Sequence, residues 1–253
     1  MPDLSGRTAI VTGGGSGIGR ASAAAFARAG ANVVVADIDA ASASETVDKI
    51  CADGGAASFV RADVTSPAHV AAMVAHTLDA YGRLDCAHNN AGILGASSAL
   101  ADYPDDDWER VLKVNLTSVY LCLKEEVRAF LAAGSPGAVV NTASFSGLVA
   151  VPFASAYVAT KHGVVGLTKS AAVEYGRKGI RVNAVAPGTA RTDMMVERMA
   201  VNPKMEQALA DVSPMRRIAE PTEIADAVVW LCSDEASFVN GHTMSIDGGA
   251  VIQ

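Results

Sequence analysis

The sequence has few of the residues that hold metal ions, and this shortage excludes one class of protein at the outset. Its 253 residues include four cysteines, with no CxxC pair, and five scattered histidines. A zinc site needs closely spaced ligands of these types, so we predict no metal site. Isolated cysteines in an apolar chain are typical of reduced, buried thiols in a cytoplasmic protein. The four are Cys51, Cys86, Cys122 and Cys232.

Positive charge is also scarce, because 20 Lys and Arg residues stand against 27 Asp and Glu residues and give a formal net charge of −7. No basic cluster offsets this balance, which argues against a nucleic-acid partner. Long apolar runs are missing as well: the longest uncharged stretch, 129–160, contains Ser, Asn and Pro residues that are costly in lipid. The first residues lack the basic and apolar segments of a secretory signal. We therefore expect a cytoplasmic protein that binds neither nucleic acid nor membrane.

Apolar residues are abundant, at 50% of the chain, and they fall into short runs separated by longer stretches with helical spacing. Short, continuously apolar strands that alternate with helices are typical of a parallel sheet covered on both faces. With right-handed crossovers, the pattern predicts one α/β domain over 1–253, built on a doubly wound parallel sheet of about seven strands. The predicted strands are Thr8–Val11, Val33–Ala36, Ala57–Val60, Leu84–His88, Ala138–Asn141, Arg181–Val185 and Thr243–Ile246.

A glycine-rich segment, 12–19, stands between the first predicted strand and the first predicted helix. Its spacing is GxxxGxG over Gly13, Gly17 and Gly19, which differs from the GxGxxG of the standard dinucleotide fingerprint. The physics is the same, because glycines permit a sharp turn and a close approach to pyrophosphate at a helix N-terminus. A flexible turn without a ligand is the alternative for this segment alone.

Asp37 ends the second predicted strand, 18 residues after Gly19. This is close to the offset of roughly 20 residues at which a carboxylate accepts hydrogen bonds from the adenosine ribose. A carboxylate there repels a 2′-phosphate, and the neighbouring Ser16 and Ile38 bring no positive charge. The pattern favours NAD over NADP, with an exposed strand-end Asp as the alternative.

Tyr157 and Lys161 lie four residues apart in a predicted helix, 154–175, so their side chains share one face. A phenol with a pKa near 10 is a poor base at neutral pH, and a neighbouring ammonium favours the phenolate. Ser144, 13 residues earlier, ends a predicted strand and is placed to hydrogen-bond a substrate oxygen. A Tyr-xxx-Lys pair is common by itself and gains meaning here from the glycine segment in the same chain.

Taken together, these motifs resemble the short-chain dehydrogenase/reductase family, and the resemblance spans residues 7–249. The resemblance implies a Rossmann-type fold and an oxidoreductase that prefers NAD. The matching segments, in family order, are Thr12–Gly19, Asp63-Val64, Asn89-Asn90-Ala91-Gly92, Asn115, Ser144, Tyr157-xxx-Lys161, Asn183 and Pro187-Gly188.

The resemblance implies a role for each matching residue. Tyr157 exchanges the proton, Ser144 stabilises the substrate oxygen, and Asn115 helps to hold a relay water. Lys161 binds the nicotinamide ribose and lowers the tyrosine pKa. Ala190 departs from the family, which often has Ile at this position. The implied dinucleotide contacts are Gly13, Ser16, Gly17, Ile18, Gly19, Asp37, Asp63, Val64, Asn90, Ala91, Gly92, Tyr157, Lys161, Pro187, Gly188, Ala190 and Thr192.

The segment 189–217 is predicted to be a substrate lid, since it follows the sixth strand and holds five of the eight methionines. With apolar residues after Ser144, it favours an apolar secondary alcohol or ketone. A 3-oxoacyl-(acyl-carrier-protein) reductase, supported by Arg177 and Lys178, and a sugar (glucose 1-) dehydrogenase remain alternatives. Arg191 is placed either to meet a substrate carboxylate or to form a structural ion pair.

A dinucleotide-binding sensor without chemistry is the alternative outside catalysis. The resemblance also implies a homotetramer, and the apolar helices predicted at Trp108–Ala132 and Ala154–Tyr175 are suited to pack between subunits.

Overall fold

Seven parallel strands form the centre of the molecule in the computed structural model, which describes residues 2–252. Their order across the sheet is β3-β2-β1-β4-β5-β6-β7. All seven predicted strands are confirmed, most to within one or two residues. Their bounds are β1 Thr8–Thr12, β2 Asn32–Asp37, β3 Ala56–Arg61, β4 Cys86–Asn89, β5 Gly137–Thr142, β6 Ile180–Pro187 and β7 Thr243–Ile246.

Helices cover both faces of this sheet, as the doubly wound prediction requires. One core cluster packs α1, α2 and α9 against the sheet, and a second packs α3, α5 and α6 against its other face. Their bounds are α1 Gly17–Arg28, α2 Ala40–Ala52, α3 Pro67–Tyr81, α4 Asp105–Leu112, α5 Ser118–Ala133, α6 Ser155–Tyr175, α7 Asp193–Val201, α8 Pro203–Asp211 and α9 Pro221–Cys232.

The order of the strands reverses between β1 and β4, which are neighbours in the sheet although they are far apart in sequence. From β1 the chain proceeds to β2 and β3 on one side, and from β4 to β7 on the other. A crevice opens at such a reversal, at the carboxyl ends of the strands. The segments that follow β1, β4, β5 and β6 therefore meet in one place.

The helix predicted at 108–132 is interrupted in the structure. It divides into α4 and α5, joined by a π-helical turn at Lys113–Thr117. A π-helical turn, in which hydrogen bonds join residues five apart, is often found at functional sites. The apolar periodicity of the sequence does not predict such a turn. The turn contains the fully buried Asn115.

Three of the four cysteines are buried, as predicted, but Cys51 is exposed. It lies on the solvent face of α2, next to the buried Ile50. Within residues 2–252, no helix combines the length and the apolar character needed to cross a membrane.

Candidate active site

The glycine segment after β1 turns so tightly that side chains are excluded at several of its positions. Gly13 and Gly17 have φ angles of +62° and +49°, which glycine adopts without the steric cost of a Cβ atom. A Cβ atom on Gly19 would lie 1.9 Å from the carbonyl oxygen of Gly13. Ser16 occupies the position before α1 and is exposed, with its side chain making no capping hydrogen bond. The turn therefore leaves the N-terminus of α1 accessible to an anion.

Thr12 connects this turn to the segment that follows β4. Its hydroxyl accepts hydrogen bonds from the backbone N–H groups of Asn90 and Ala91, at 3.0 and 3.2 Å. The Asn90 amide in turn donates to the Thr12 carbonyl at 3.1 Å. A Cβ on Gly13 would lie only 3.0 Å from the Ala91 Cα. The fold thus brings together two of the predicted cofactor segments, 12–19 and 90–92.

Asp37 lies beside the glycine turn, as its spacing predicts. Its Oδ2 accepts a hydrogen bond from Gly15 N at 2.9 Å, and its Oδ1 accepts one from Asp39 N at 3.0 Å. The carboxylate is only partly buried. It is held at the crevice and still faces solvent.

Two guanidinium groups near Asp37 could not be seen from its sequence neighbours. Arg61 pairs with Asp37 across β2 and β3, and its Nε donates to the Ile38 carbonyl at 3.3 Å. Arg20 donates to the Gly15 carbonyl and forms an ion pair with Glu45 at 3.1 Å. Both groups are held in place by bonds to the chain. They bring positive charge near the Asp37 carboxylate, which its neighbours in sequence do not provide.

Asp63 and Val64 follow β3 near the same end of the sheet. Hydrogen bonds from Thr65 hold the pKa of the Asp63 carboxyl below its usual range, so it stays ionised. Val64 is 9% exposed and belongs to the second core cluster. Its side chain therefore has little surface left for a ligand.

Ser144 and Tyr157 are brought together at the carboxyl end of β5. The Ser144 side chain lies near the Tyr157 phenol, and its Oγ accepts a hydrogen bond from Ser146 N at 3.1 Å. Burial raises the pKa of Tyr157 above its usual 10, and the nearby Ser144 side chain opposes that rise. That Lys161 lowers the pKa of this phenol stays a prediction.

Lys161 is buried one turn along α6 from Tyr157. Its Nζ donates to the Thr142 carbonyl at 2.7 Å and lies 5.5 Å from the centre of the Tyr157 ring. Burial lowers the pKa of this lysine to about 8. A Cβ on Gly92 would lie 3.7 Å from Nζ, which shows that the segment after β4 approaches the lysine closely.

Asn115 anchors the next part of that segment. Its Oδ1 accepts from Ile93 N and its Nδ2 donates to Ile93 O, both at 2.8 Å. A Cβ on Gly92 would lie 3.3 Å from the same Oδ1. The four predicted catalytic residues, Asn115, Ser144, Tyr157 and Lys161, thus surround one crevice.

The segment after β6 closes the crevice from the other side. Gly188 N donates to Ile246 O at 3.0 Å, and a Cβ on Gly188 would lie 2.9 Å from the Asp247 Cα. Ala190 is buried and forms an isolated bridge with Ala219. Further on, a Cβ on Gly17 would lie 3.0 Å from the Thr192 methyl group. Thr192 therefore borders the glycine turn.

A cavity of about 350 Å³ lies next to Gly188 and to Phe145, the residue after Ser144. Leu209, Met215 and Ile246 contribute apolar surface to its wall, and Arg217, Glu223 and Asp247 contribute charged groups. The segment predicted as a lid, 189–217, therefore contributes to a mostly apolar space beside the catalytic side chains.

Most of the lid methionines have another role. Met199 is buried, and Met195 and Met205 pack against it in a small cluster with Ala210 and Ile218. The side chain of Met194 lies outside those described. Arg191 pairs with Glu206 at 2.5 Å and with Glu220 at 3.5 Å, which matches the structural alternative for this residue.

A sequence model described as enoyl-(acyl carrier protein) reductase matches residues 13–251. The chain is 47% identical over 249 residues to a 2,5-dichloro-2,5-cyclohexadiene-1,4-diol dehydrogenase of Sphingobium indicum, with 98% of each chain covered. The chain belongs to the short-chain dehydrogenase/reductase family. The chain is also 43% identical to a cyclohexanol dehydrogenase of an Acinetobacter species, with 96% of this chain and 94% of the relative covered.

Solved structures of the family agree with the fold. The crystal structure of levodione reductase superimposes with a TM-score of 0.92 at 39% identity, covering 98% of both chains. A putative 2-deoxy-D-gluconate 3-dehydrogenase from Agrobacterium tumefaciens, with bound NADP, has a TM-score of 0.91 at 36% identity and covers 99% of this chain and 98% of its own. A nicotinamide dinucleotide is thus the cofactor class of this oxidoreductase fold.

Proposed function

We propose that this short-chain dehydrogenase/reductase interconverts an apolar secondary alcohol and its ketone with NAD as cofactor. The observation that carries the proposal is the position of the buried Lys161 ammonium, which is held by the Thr142 carbonyl and lies 5.5 Å from the centre of the Tyr157 ring, with Ser144 beside the phenol. A sensor without chemistry has no need for a buried lysine beside a half-buried phenol at the mouth of a crevice.

The residues of the crevice fit a dinucleotide. The glycine turn with the N-terminus of α1 is suited to the pyrophosphate, and a Cβ atom would fill the space at Gly13 and Gly19. Asp37 is suited to the adenosine ribose, and Lys161 to the nicotinamide ribose. When bound, the dinucleotide supplies the hydride acceptor or donor.

The chain itself manages the proton. In alcohol oxidation, Ser144 holds the substrate oxygen and the Tyr157 phenolate takes its proton; in ketone reduction, the phenol returns that proton. Burial opposes ionisation of Tyr157, so the positive charge of Lys161 is needed to favour the phenolate. The Thr142 carbonyl fixes the position of that charge.

The proposed substrate is apolar and cyclic. Relatives named for a cyclohexadienediol and for cyclohexanol act on ring alcohols, and the cavity beside Phe145 and Gly188 has Leu209, Met215 and Ile246 in its wall. The basic pair proposed for a carrier protein, Arg177 and Lys178, precedes β6 and so lies at the opposite end of the sheet.

An absorbance assay of NADH formation over a panel of ring and open-chain secondary alcohols tests the activity. We expect turnover of cyclohexanol-sized ring alcohols with NAD. Absence of turnover across the panel in both directions, with dinucleotide binding intact, would leave the sensor as the better description.

The cofactor preference is tested at Asp37. We expect the wild type to favour NAD over NADP, and Asp37→Ala to reduce that ratio of kcat/KM by about 100-fold, because the repulsion of a 2′-phosphate is removed and Arg61 and Arg20 remain nearby. Asp53→Ala is the matched control, since it removes a carboxylate at the C-terminal end of α2, which precedes β3 and lies at the opposite end of the sheet from the glycine turn. A wild type that prefers NADP would contradict the role of Asp37.

We also propose that four copies of the chain assemble. Tyr120 and Leu131 on α5 and Val173 on α6 are exposed apolar side chains on the helices expected to pack between subunits. Light scattering is expected to give about four times the chain mass of 25.8 kDa.

A further inference from the structure

Phe153 has a backbone conformation that its side chain disfavours. Its φ angle is +62°, and among residues 2–252 only one other non-glycine residue, Arg216, has a positive φ. For a bulky side chain this region is a genuine outlier, because Cβ crowds the backbone. Such strain persists where the surroundings impose it, and it is found preferentially at ligand-binding sites.

The Phe153 backbone joins two segments that border the crevice. Its carbonyl oxygen accepts a hydrogen bond from Ser98 N at 3.1 Å. The segment that carries Ser98 is also held by Asn115 at Ile93 and by the Asp107 carboxylate at Ala96 N. Phe153 therefore connects the segment after β4 to the segment between Ser144 and α6.

Phe153 is 59% exposed, although it stands only four residues before Tyr157. An exposed aromatic ring and a strained backbone are both unfavourable in the protein alone. Glycine at this position would retain the hydrogen bond to Ser98 without either cost. A molecule that enters the crevice would offer such a ring an apolar contact that the protein alone does not provide.

We propose that Phe153 determines substrate specificity, its ring covering one apolar face of a cyclic substrate held by Ser144 and Tyr157. This inference rests on the proposed function. The strained backbone fixes where the ring stands, so the contact requires little ordering when the substrate binds. Open-chain alcohols present less apolar surface to the ring and depend less on it.

The test compares Phe153→Gly with the wild type on cyclohexanol and on 2-butanol. We expect the ratio of kcat/KM for cyclohexanol to that for 2-butanol to fall about tenfold, the size of one lost apolar contact in a binding pocket. The loss is expected mainly in KM, because Tyr157 and Lys161 are unchanged. Phe153→Leu keeps an apolar side chain, so its substrate ratio is expected to fall only about threefold, which is half of the tenfold effect on a logarithmic scale.

Phe238→Gly is the matched control. Phe238 is fully exposed in the segment before β7, at the amino ends of the strands and far from the crevice. This control is expected to leave the substrate ratio unchanged. For Phe153→Gly, the NADH dissociation constant is expected to equal that of the wild type, and light scattering is expected to give the same number of subunits.

The inference would be overturned by an unchanged substrate ratio in Phe153→Gly, or by an equal change in Phe238→Gly. It would also be overturned by a changed number of subunits in Phe153→Gly, which would assign the ring to a subunit contact. A wild type that oxidises no ring alcohol would instead refute the proposed substrate class, so the two failures are distinguishable. Thermal unfolding separates both failures from misfolding. Phe153→Gly is expected to melt within about 3 °C of the wild type, because the relief of backbone strain in the folded state offsets the greater flexibility of glycine in the unfolded chain.

Discussion

Helix α6 takes part in two buried polar clusters that have different purposes. The catalytic cluster consists of Thr142, Ser144, Tyr157 and Lys161, at the carboxyl ends of the strands. The framework cluster consists of Asn89, Glu126, Asn141 and Thr168, deeper between the sheet, α5 and α6. Lys161 and Thr168 are two helical turns apart on one helix.

The two clusters differ in what completes them. In the framework cluster, Asn89 Nδ2 donates to both Glu126 Oε2 and Asn141 Oδ1, and Asn141 Nδ2 donates to Thr168 Oγ1, all at 3.0 Å. These bonds are all made between side chains of the chain itself, although Asn89 Oδ1 and Glu126 Oε1 are buried without a hydrogen-bond partner. In the catalytic cluster, the Thr142 carbonyl takes one of the three N–H groups of Lys161, and the crevice is open to further partners. The framework cluster is thus closed to solvent within the protein, whereas the catalytic cluster borders the crevice, where a ligand has access to it.

Tyr157→Phe makes the largest predicted difference between the clusters. We expect kcat to fall by at least about 1,000-fold, because the group that exchanges the proton is gone. The free energy of unfolding is expected to change little, since the ring remains. Steady-state assays with NADH titration by fluorescence measure both, and retained kcat would remove Tyr157 from the mechanism.

Lys161→Met tests whether the catalytic cluster sacrifices stability for function. We expect kcat to fall about 100-fold and the NADH dissociation constant to rise, while the unfolding free energy is unchanged or higher at pH 7. Burial lowers the pKa of Lys161 to about 8, so the folded protein binds its proton less tightly than the unfolded chain does. Wild-type stability from this group therefore rises between about pH 8 and the ordinary lysine value, and the variant loses that rise. A large drop in stability at pH 7 would contradict the distinction.

Glu126→Gln tests the framework cluster, where we expect a change in stability and little change in activity. Burial raises the pKa of Glu126 to about 7, although the Asn89 hydrogen bond opposes this. The stability that this raised pKa contributes is complete below the unfolded value near 4.5 and is lost as the pH rises through about 7. At pH 8 the variant is expected to be more stable by up to about 3 kcal/mol, with the gap closing toward pH 4.5. Denaturant unfolding at several pH values measures this, and kcat is expected to stay within about twofold.

Thr168→Val is the smallest of the four changes. It removes the acceptor of Asn141 Nδ2 in a fully buried position, which costs about 1–3 kcal/mol of unfolding free energy. We expect no change in KM or kcat. Lost activity in a folded Thr168→Val protein would show that the two clusters are coupled along α6.

The order of elements was largely predictable because each strand and helix is encoded locally. Apolar runs such as Val33–Ala36 bury a strand on both faces, and the 12–19 glycines mark the turn that only they can make. The Tyr157 and Lys161 pair was predictable for a similar reason, since helical spacing alone places two residues on one face. These are short-range properties, and the sequence determines them without knowledge of the rest of the chain.

Contacts between distant segments were decided only by the tertiary structure. Arg61 reaches the neighbourhood of Asp37 because β2 and β3 pair in that register, and Thr142 meets Lys161 because α6 packs back against β5. The π-helical turn at Asn115 and the strained Phe153 likewise depend on partners that lie 22 and 55 residues away, at Ile93 and Ser98. Local pattern cannot encode them, because a hydrogen bond or a forced φ angle at these positions exists only once the sheet has brought the loops at its carboxyl ends together.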